Sequence, residues 1–180
     1  MNGKIIPEIR KSTPWVNAAR IILVLLIITN VWVIWYNSAK VAADSDKTSK
    51  KVATDVAEVV VENYSKLEKK VQKQHVGRIN NTIRSLGHFA EFVPLGLLFF
   101  FLAESIYSLS GKKRLRRMLF CTVFAVLLSM ICATGDEIHQ LFVKGRTFQA
   151  VDILCDSLGA LCGCALAGII TLFLRKRIFK

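Results

Sequence analysis

The 180-residue chain is 53% hydrophobic and carries 25 Lys or Arg against 13 Asp or Glu, a formal charge of +12. Its mean hydropathy of +0.42 comes from long apolar runs that the polar remainder is too short to cover, which argues against a soluble domain. The positive charge is gathered beside those runs, which argues against a nucleic-acid partner. Cys121, Cys132, Cys155, Cys162 and Cys164 all fall inside them, so neither a disulfide framework nor a Cys-x-x-Cys metal centre is indicated.

Four runs are long enough to cross a bilayer as helices: residues 18–36, 86–108, 117–134 and 151–174. The first is flanked by Lys4, Arg10, Lys11 and Arg20, and ends in an aromatic belt of Trp32, Trp35 and Tyr36. A basic start, an apolar run and Val41-Ala42-Ala43 also fit a cleaved signal peptide, but the run exceeds a usual signal core, which favours a retained anchor. Residues 37–85 follow as an extracytoplasmic segment with ten Lys or Arg against six acids. Within it, residues 45–74 repeat apolar side chains at Val52, Val56, Val59 or Val60, Tyr64, Leu67 and Val71, the spacing of one amphipathic helix. Packing on the membrane surface is the first expectation for that helix, ahead of pairing with a second copy, and Gly77 and Asn80-Asn81 are expected to end it. The charge surplus there suits anionic lipid or wall polymers, or simply a solvated helix face.

The second run opens with Arg84, His88 and Glu91, a polar stripe on one helix face. Pro94 is expected to kink the helix and, with Gly96, to shape a cavity. Glu104 near its far end is expected at the rim, within reach of Arg114. Lys112, Lys113, Arg114, Arg116 and Arg117 fill the next connection, and Arg175, Lys176, Arg177 and Lys180 close the chain. Short basic segments stay in the cytoplasm, so both termini and this connection are expected inside. The third run delivers Asp136, Glu137 and Gln140 to its outer boundary, and Arg146 follows in the short outer connection. The fourth begins with Asp152 and Asp156, one turn apart, then carries Gly159, Gly163 and Ala167 at the four-residue spacing that lets helices approach closely.

The fold class expected is therefore an all-α membrane protein: a four-helix transmembrane bundle with an extracytoplasmic amphipathic helix between spans 1 and 2. Three parts follow from this, 1–36 as N-terminus and first anchor, 37–85 as the outer helical segment, and 86–180 as a three-span region. The alternation of spans brings Arg84, His88, Glu91, Asp136, Glu137, Gln140, Arg146 and Asp152 to one outer-leaflet patch. Ionisable groups so near lipid are costly and mark functional sites.

The pattern Arg84-x-x-x-His88-Phe89-x-Glu91-Phe92, then Asp136-Glu137-x-x-Gln140-Leu141-Phe142-x-x-x-Arg146, then Asp152-x-x-x-Asp156-x-x-Gly159, resembles the VanZ-like family of small bacterial membrane proteins over about the last hundred residues. The resemblance implies a multi-pass protein of the bacterial plasma membrane, whose namesake gives low-level resistance to teicoplanin with little effect on vancomycin. Gly135 and Asp156 depart from the serine and asparagine frequent there.

Several readings of the patch stand side by side. In the first, Arg84 and Arg146 offer planar donor forks to phosphate or carboxylate, with the acids orienting them, and the partners are membrane lipids, a lipid-linked cell-wall precursor or a lipoglycopeptide. In the second, His88 and Glu91, with Glu137 and His139, act as an acid–base pair or hold a metal, although no established catalytic motif and no defined metal or cofactor set is present. In the third, the acids and arginines form a structural ion network of a membrane scaffold. Proton relay ranks lower, since the inner half lacks a matching path unless a homo-oligomer supplies one.

Overall fold

In a computed structural model, residues 8–9, 13–39, 42–108, 114–144, 146 and 148–178 are described. Lys4, Arg10, Lys11, Val41, Lys112, Lys113 and Lys180, which entered the sequence expectations, lie outside the described residues. Five helices account for almost all of the described chain: α1 (Pro14–Ser38), α2 (Ala42–Val60), α3 (Lys69–Ile106), α4 (Arg114–Gln140) and α5 (Ala150–Ile178). A single 3-10 turn, Tyr64–Lys66, lies between α2 and α3. Two-residue strands β1 (Glu8–Ile9) and β2 (Tyr107–Ser108) pair antiparallel, which places the segment before α1 beside the end of α3.

Helices α1, α3, α4 and the Ala150–Phe173 part of α5 are each long and apolar enough to cross a membrane. Their outer faces carry Ile21, Leu25, Ile28, Leu119, Val123, Leu127, Ile131, Leu154, Leu158 and Ile169, all exposed. So much contiguous apolar surface is incompatible with water and matches a lipid solvent. The core lies between α3, α4 and α5, around Phe92, Leu95, Phe100, Ala103, Cys121, Ala125, Ala133 and Cys164, with Ile27 and Ile34 of α1 closing one side. Pro14 occupies the first turn of α1, where its missing N–H costs nothing.

The α3–α5 seam depends on the absence of side chains. A Cβ on Gly159 would overlap the carbonyl of Phe89, one on Gly163 that of Val93, and one on Gly96 that of Ala160. The small-residue stripe foreseen on the fourth span is thus real, and α3 is its partner. Gly96 belongs to this seam and does not shape a cavity. Pro94 sits exposed on the surface of an unbroken helix, where neither it nor Gly96 borders the polar pocket described below. Close backbone approach is favoured in lipid because dispersion contact, rather than water release, holds helices together there.

The outer helical segment differs from the expectation. The helix anticipated over 45–74 is broken: α2 ends at Val60, and Asn63 takes a left-handed conformation (φ 55°) that asparagine tolerates better than most residues. Gln72 Nε2 donates to the Tyr64 carbonyl at 2.9 Å, tying the turn onto α3. Val59 is 85% exposed and Val60 71%, while Ala53 and Ala57 are buried in α2, which packs on α3. Small side chains let the two helices approach, and the larger valines point away. Gly77 and Asn80-Asn81 end nothing, for α3 runs through both, and through residues 85–86, as one helix of 38 residues. At 1.5 Å per residue it is about 57 Å long, well beyond a hydrocarbon core of about 30 Å.

At the basic end of the bundle, Arg117 Nη2 lies 2.9 Å from Glu104 Oε1, and Thr171 Oγ1 donates to Glu104 Oε2 at 2.9 Å. Glu104 therefore meets Arg117, one turn along from the anticipated Arg114, and clasps α3, α4 and α5 together. Arg20 Nη2 donates to the Ser105 carbonyl at 2.6 Å, adding α1 to the clasp.

Candidate functional site

The opposite end of the bundle is polar, and its depth is unusual. Asp136, Glu137 and Asp156 are fully buried, Gln140 is 1% exposed and Asp152 4%. Helix α4 continues past its apolar stretch to Gln140, so Asp136 and Gln140, four residues apart, share a face. Gln140 Nε2 accordingly donates to Asp136 Oδ2 at 2.9 Å. The same oxygen accepts from Ser38 Oγ at 2.7 Å, which brings in the last residue of α1. Next to it, Asn37 Nδ2 donates to Glu91 Oε1 at 2.7 Å, so α1 grips α3 as well as α4.

Glu137 reaches the short α4–α5 connection, where Oε2 accepts from the Gln149 backbone N–H at 2.7 Å. Asp152 accepts from Ser85 Oγ on α3 at 3.3 Å. Asp156 lies one turn deeper and has its Oδ1 3.6 Å from His88 Nδ1. Asp136 Oδ1, Glu137 Oε1 and both Asp156 oxygens are buried and make no hydrogen bond. Asp136, Asp152, Glu137 and Glu91 are all within electrostatic reach of Asp156. A carboxyl layer this dense, removed from water, is a feature that needs a function or a strong structural reason.

Above that layer lies a pocket of about 130 Å³, lined by Asn37, Ser38, Arg84, Gly87, His88, Glu91 and Arg146. A neighbouring cleft of about 20 Å³, between Asn81, Arg84, Ser85, Gln149 and Asp152, puts Arg84 on the border of both. The eight residues singled out in the sequence fall into two tiers. Arg84, His88, Glu91 and Arg146 meet the pocket, while Asp136, Glu137, Gln140 and Asp152 support it from below and beside.

Two pairings considered from sequence are not made. His88 turns to Asp156 rather than joining Glu91. His139 stacks on Trp35, with ring centroids 5.4 Å apart and planes within 6°, away from Glu137. Among the described residues, no three of His, Cys, Asp and Glu gather in a way that could hold a metal ion. Three contributors were missed: Asn37 and Ser38, which read as a span boundary, and Gln149, which acts through its backbone. Asp156, noticed but set aside as a departure from the family pattern, is as fully buried as Asp136 and Glu137, with His88 as its neighbour.

No curated protein and no solved structure matches this chain. A family does, and its match takes in α2 and the turn after it as well as the last hundred residues where the resemblance was first read. Residues 23–172 match the family described as VanZ/LLP1, and the chain belongs to that family.

Proposed function

We propose that the protein is a multi-pass component of the bacterial plasma membrane, with both termini in the cytoplasm, whose polar pocket opens to the outer leaflet and takes the anionic head group of an amphiphile. The observation that carries this reading is that Arg84 and Arg146, from elements far apart in sequence, line one pocket together with His88. Arginine suits phosphate and carboxylate because its planar fork can bind two oxygens at once. Asp136, Glu137, Asp152 and Asp156 do not line the pocket, so a ligand there meets Arg84, Arg146 and His88 with Glu91 as the one carboxylate beside them among the described residues.

Size decides what enters. A pocket of about 130 Å³ is small beside the roughly 300–1,000 Å³ that encloses a drug-sized ligand. A lipid head group or the phosphate end of a lipid-linked precursor fits such a space, and an intact glycopeptide does not. On this reading the protein lowers susceptibility to lipidated glycopeptides such as teicoplanin by engaging the amphiphiles among which their acyl chains insert. Vancomycin, without that chain, is little affected.

The test is the teicoplanin and vancomycin susceptibility of a sensitive Gram-positive host. Wild type is compared with Arg84→Gln and Arg146→Gln at matched membrane abundance. Protection from teicoplanin that disappears in both variants supports the reading. Wild-type protein that inserts well and protects against neither drug rejects it. A second reading, acid–base catalysis on a lipid-linked envelope substrate, is favoured by one contact: His88 borders the pocket while its Nδ1 faces Asp156, as a general base faces its orienting carboxylate. Turnover of a lipid-linked substrate that is lost in His88→Gln and impaired in Asp156→Asn would separate it from binding alone, and a scaffold would show neither.

A further inference from the structure

Away from the membrane, α2 and the start of α3 enclose a groove of about 690 Å³. Its lining is Lys50 and Thr54 of α2, Tyr64 of the turn, and Lys69, Lys70, Gln72, Lys73 and Val76 of α3. Four lysines line it and, among the described residues, no acid does, although Asp55, Glu58, Glu62 and Glu68 lie close by in sequence. These four acids thus fall elsewhere on the hairpin, while Lys50, Lys69, Lys70 and Lys73 converge on one concavity.

The groove is also held open in advance. Asn63 reverses the chain, Lys66 N–H donates to the Asn63 carbonyl at 2.8 Å, and Gln72 fastens Tyr64 to α3. Ala53 and Ala57 seat α2 against α3. Little order has to be gained when a ligand arrives, which favours binding.

We propose that this groove binds a chain of phosphate groups, a linear polyanion outside the bilayer. Two arguments select that ligand. Lys69, Lys70 and Lys73 alone carry more charge than one phosphate can neutralise, whereas successive phosphates of a chain can each meet one. The height of the groove above the membrane, which rests on the proposed topology, argues against the lipid surface as the source. Lys70 precedes Arg84 by fourteen residues of continuous helix, about 21 Å along α3. With Arg84 at the bilayer boundary, the groove stands well past a head-group layer about 5–8 Å deep. The inference is independent of what the membrane pocket binds.

The experiment uses the full-length protein in nanodiscs of phosphatidylcholine alone, with linear inorganic polyphosphate as the probe. Wild type is expected to bind it with an affinity that falls as salt rises. Each groove lysine is worth about fivefold, so Lys70→Gln/Lys73→Gln should weaken binding about 25-fold. Lys70→Arg/Lys73→Arg should keep it, and Lys51→Gln, an exposed lysine outside the lining, should change it less than twofold. Absence of binding by wild type overturns the proposal. So does an equal loss in Lys51→Gln, which would make net charge the cause, and so does binding that appears only when phosphatidylglycerol replaces phosphatidylcholine. Matched thermal unfolding of the variants keeps a folding defect from being mistaken for lost binding.

Discussion

Alanine at two glycines of one bundle should move stability in opposite directions. In both positions the change adds about 1 kcal/mol of helix propensity. At Gly77, in the part of α3 beyond the membrane, the new methyl meets nothing within 4 Å, so Gly77→Ala should gain up to about that amount. At Gly163 on α5 the methyl would overlap the Val93 carbonyl and lie 2.8 Å from the Leu97 amide nitrogen. Both obstacles are backbone, so no side chain can swing aside and the helices must part. Overpacking costs about 1–3 kcal/mol, and here the upper end applies, because parting also loosens the Gly159–Phe89 and Gly96–Ala160 contacts. The net for Gly163→Ala is then a loss of about 2 kcal/mol. Reversible unfolding of purified protein by SDS in mixed micelles measures both. A Gly163→Ala variant as stable as wild type, or one that tracks Gly77→Ala, would refute the seam as described.

Removing the cation of the clasp at the other end, Arg117→Gln, takes from Glu104 its 2.9 Å ion pair and should cost about 3 kcal/mol, near the low end for a buried pair because each partner is 14% exposed. Adding Glu104→Gln should restore part of that loss, and the same unfolding assay reads it. In the hairpin, Ala53→Leu should open the α2–α3 contact and expose the turn at 61–68 to limited proteolysis, whereas Val59→Ser should alter neither cleavage nor stability by more than about 0.5 kcal/mol.

The spans were legible because length and apolarity are what a bilayer selects: α1, α4 and α5 contain the first, third and fourth runs read from sequence, and α3 the second as far as Ile106. So was the small-residue stripe, since Gly159, Gly163 and Ala167 recur on one helix face whatever packs on it. The break at 61–68 was hidden, because Val60, Tyr64, Leu67 and Val71 continue the apolar rhythm across it. Periodicity registers which residues are apolar, but Ala53 and Ala57 were chosen for size, which periodicity does not weigh. Pro94 lies inside α3 without ending it: a proline removes one donor, and a long helix in lipid can absorb that loss.

At the site, charge placement along alternating spans was enough to bring Arg84, His88, Glu91, Asp136, Glu137, Gln140, Arg146 and Asp152 to one end. It could not sort them into those that meet the pocket and those beneath it, since that depends on how far α4 continues and on the turn at Gln149. Nor could it enlist α1. Asn37 and Ser38 look like any polar pair where a span leaves the bilayer, and only three-dimensional proximity shows that they hold Glu91 and Asp136.

The central claim is that Arg84 and Arg146 together hold an anionic head group, and native mass spectrometry of protein released from nanodiscs tests it most directly. In equimolar phosphatidylglycerol and phosphatidylcholine, wild type should retain phosphatidylglycerol selectively. Arg84→Gln/Arg146→Gln should retain at least about tenfold less, as expected when charge-assisted hydrogen bonds are lost. Equal retention by wild type and the double variant, with both folded, would contradict the account.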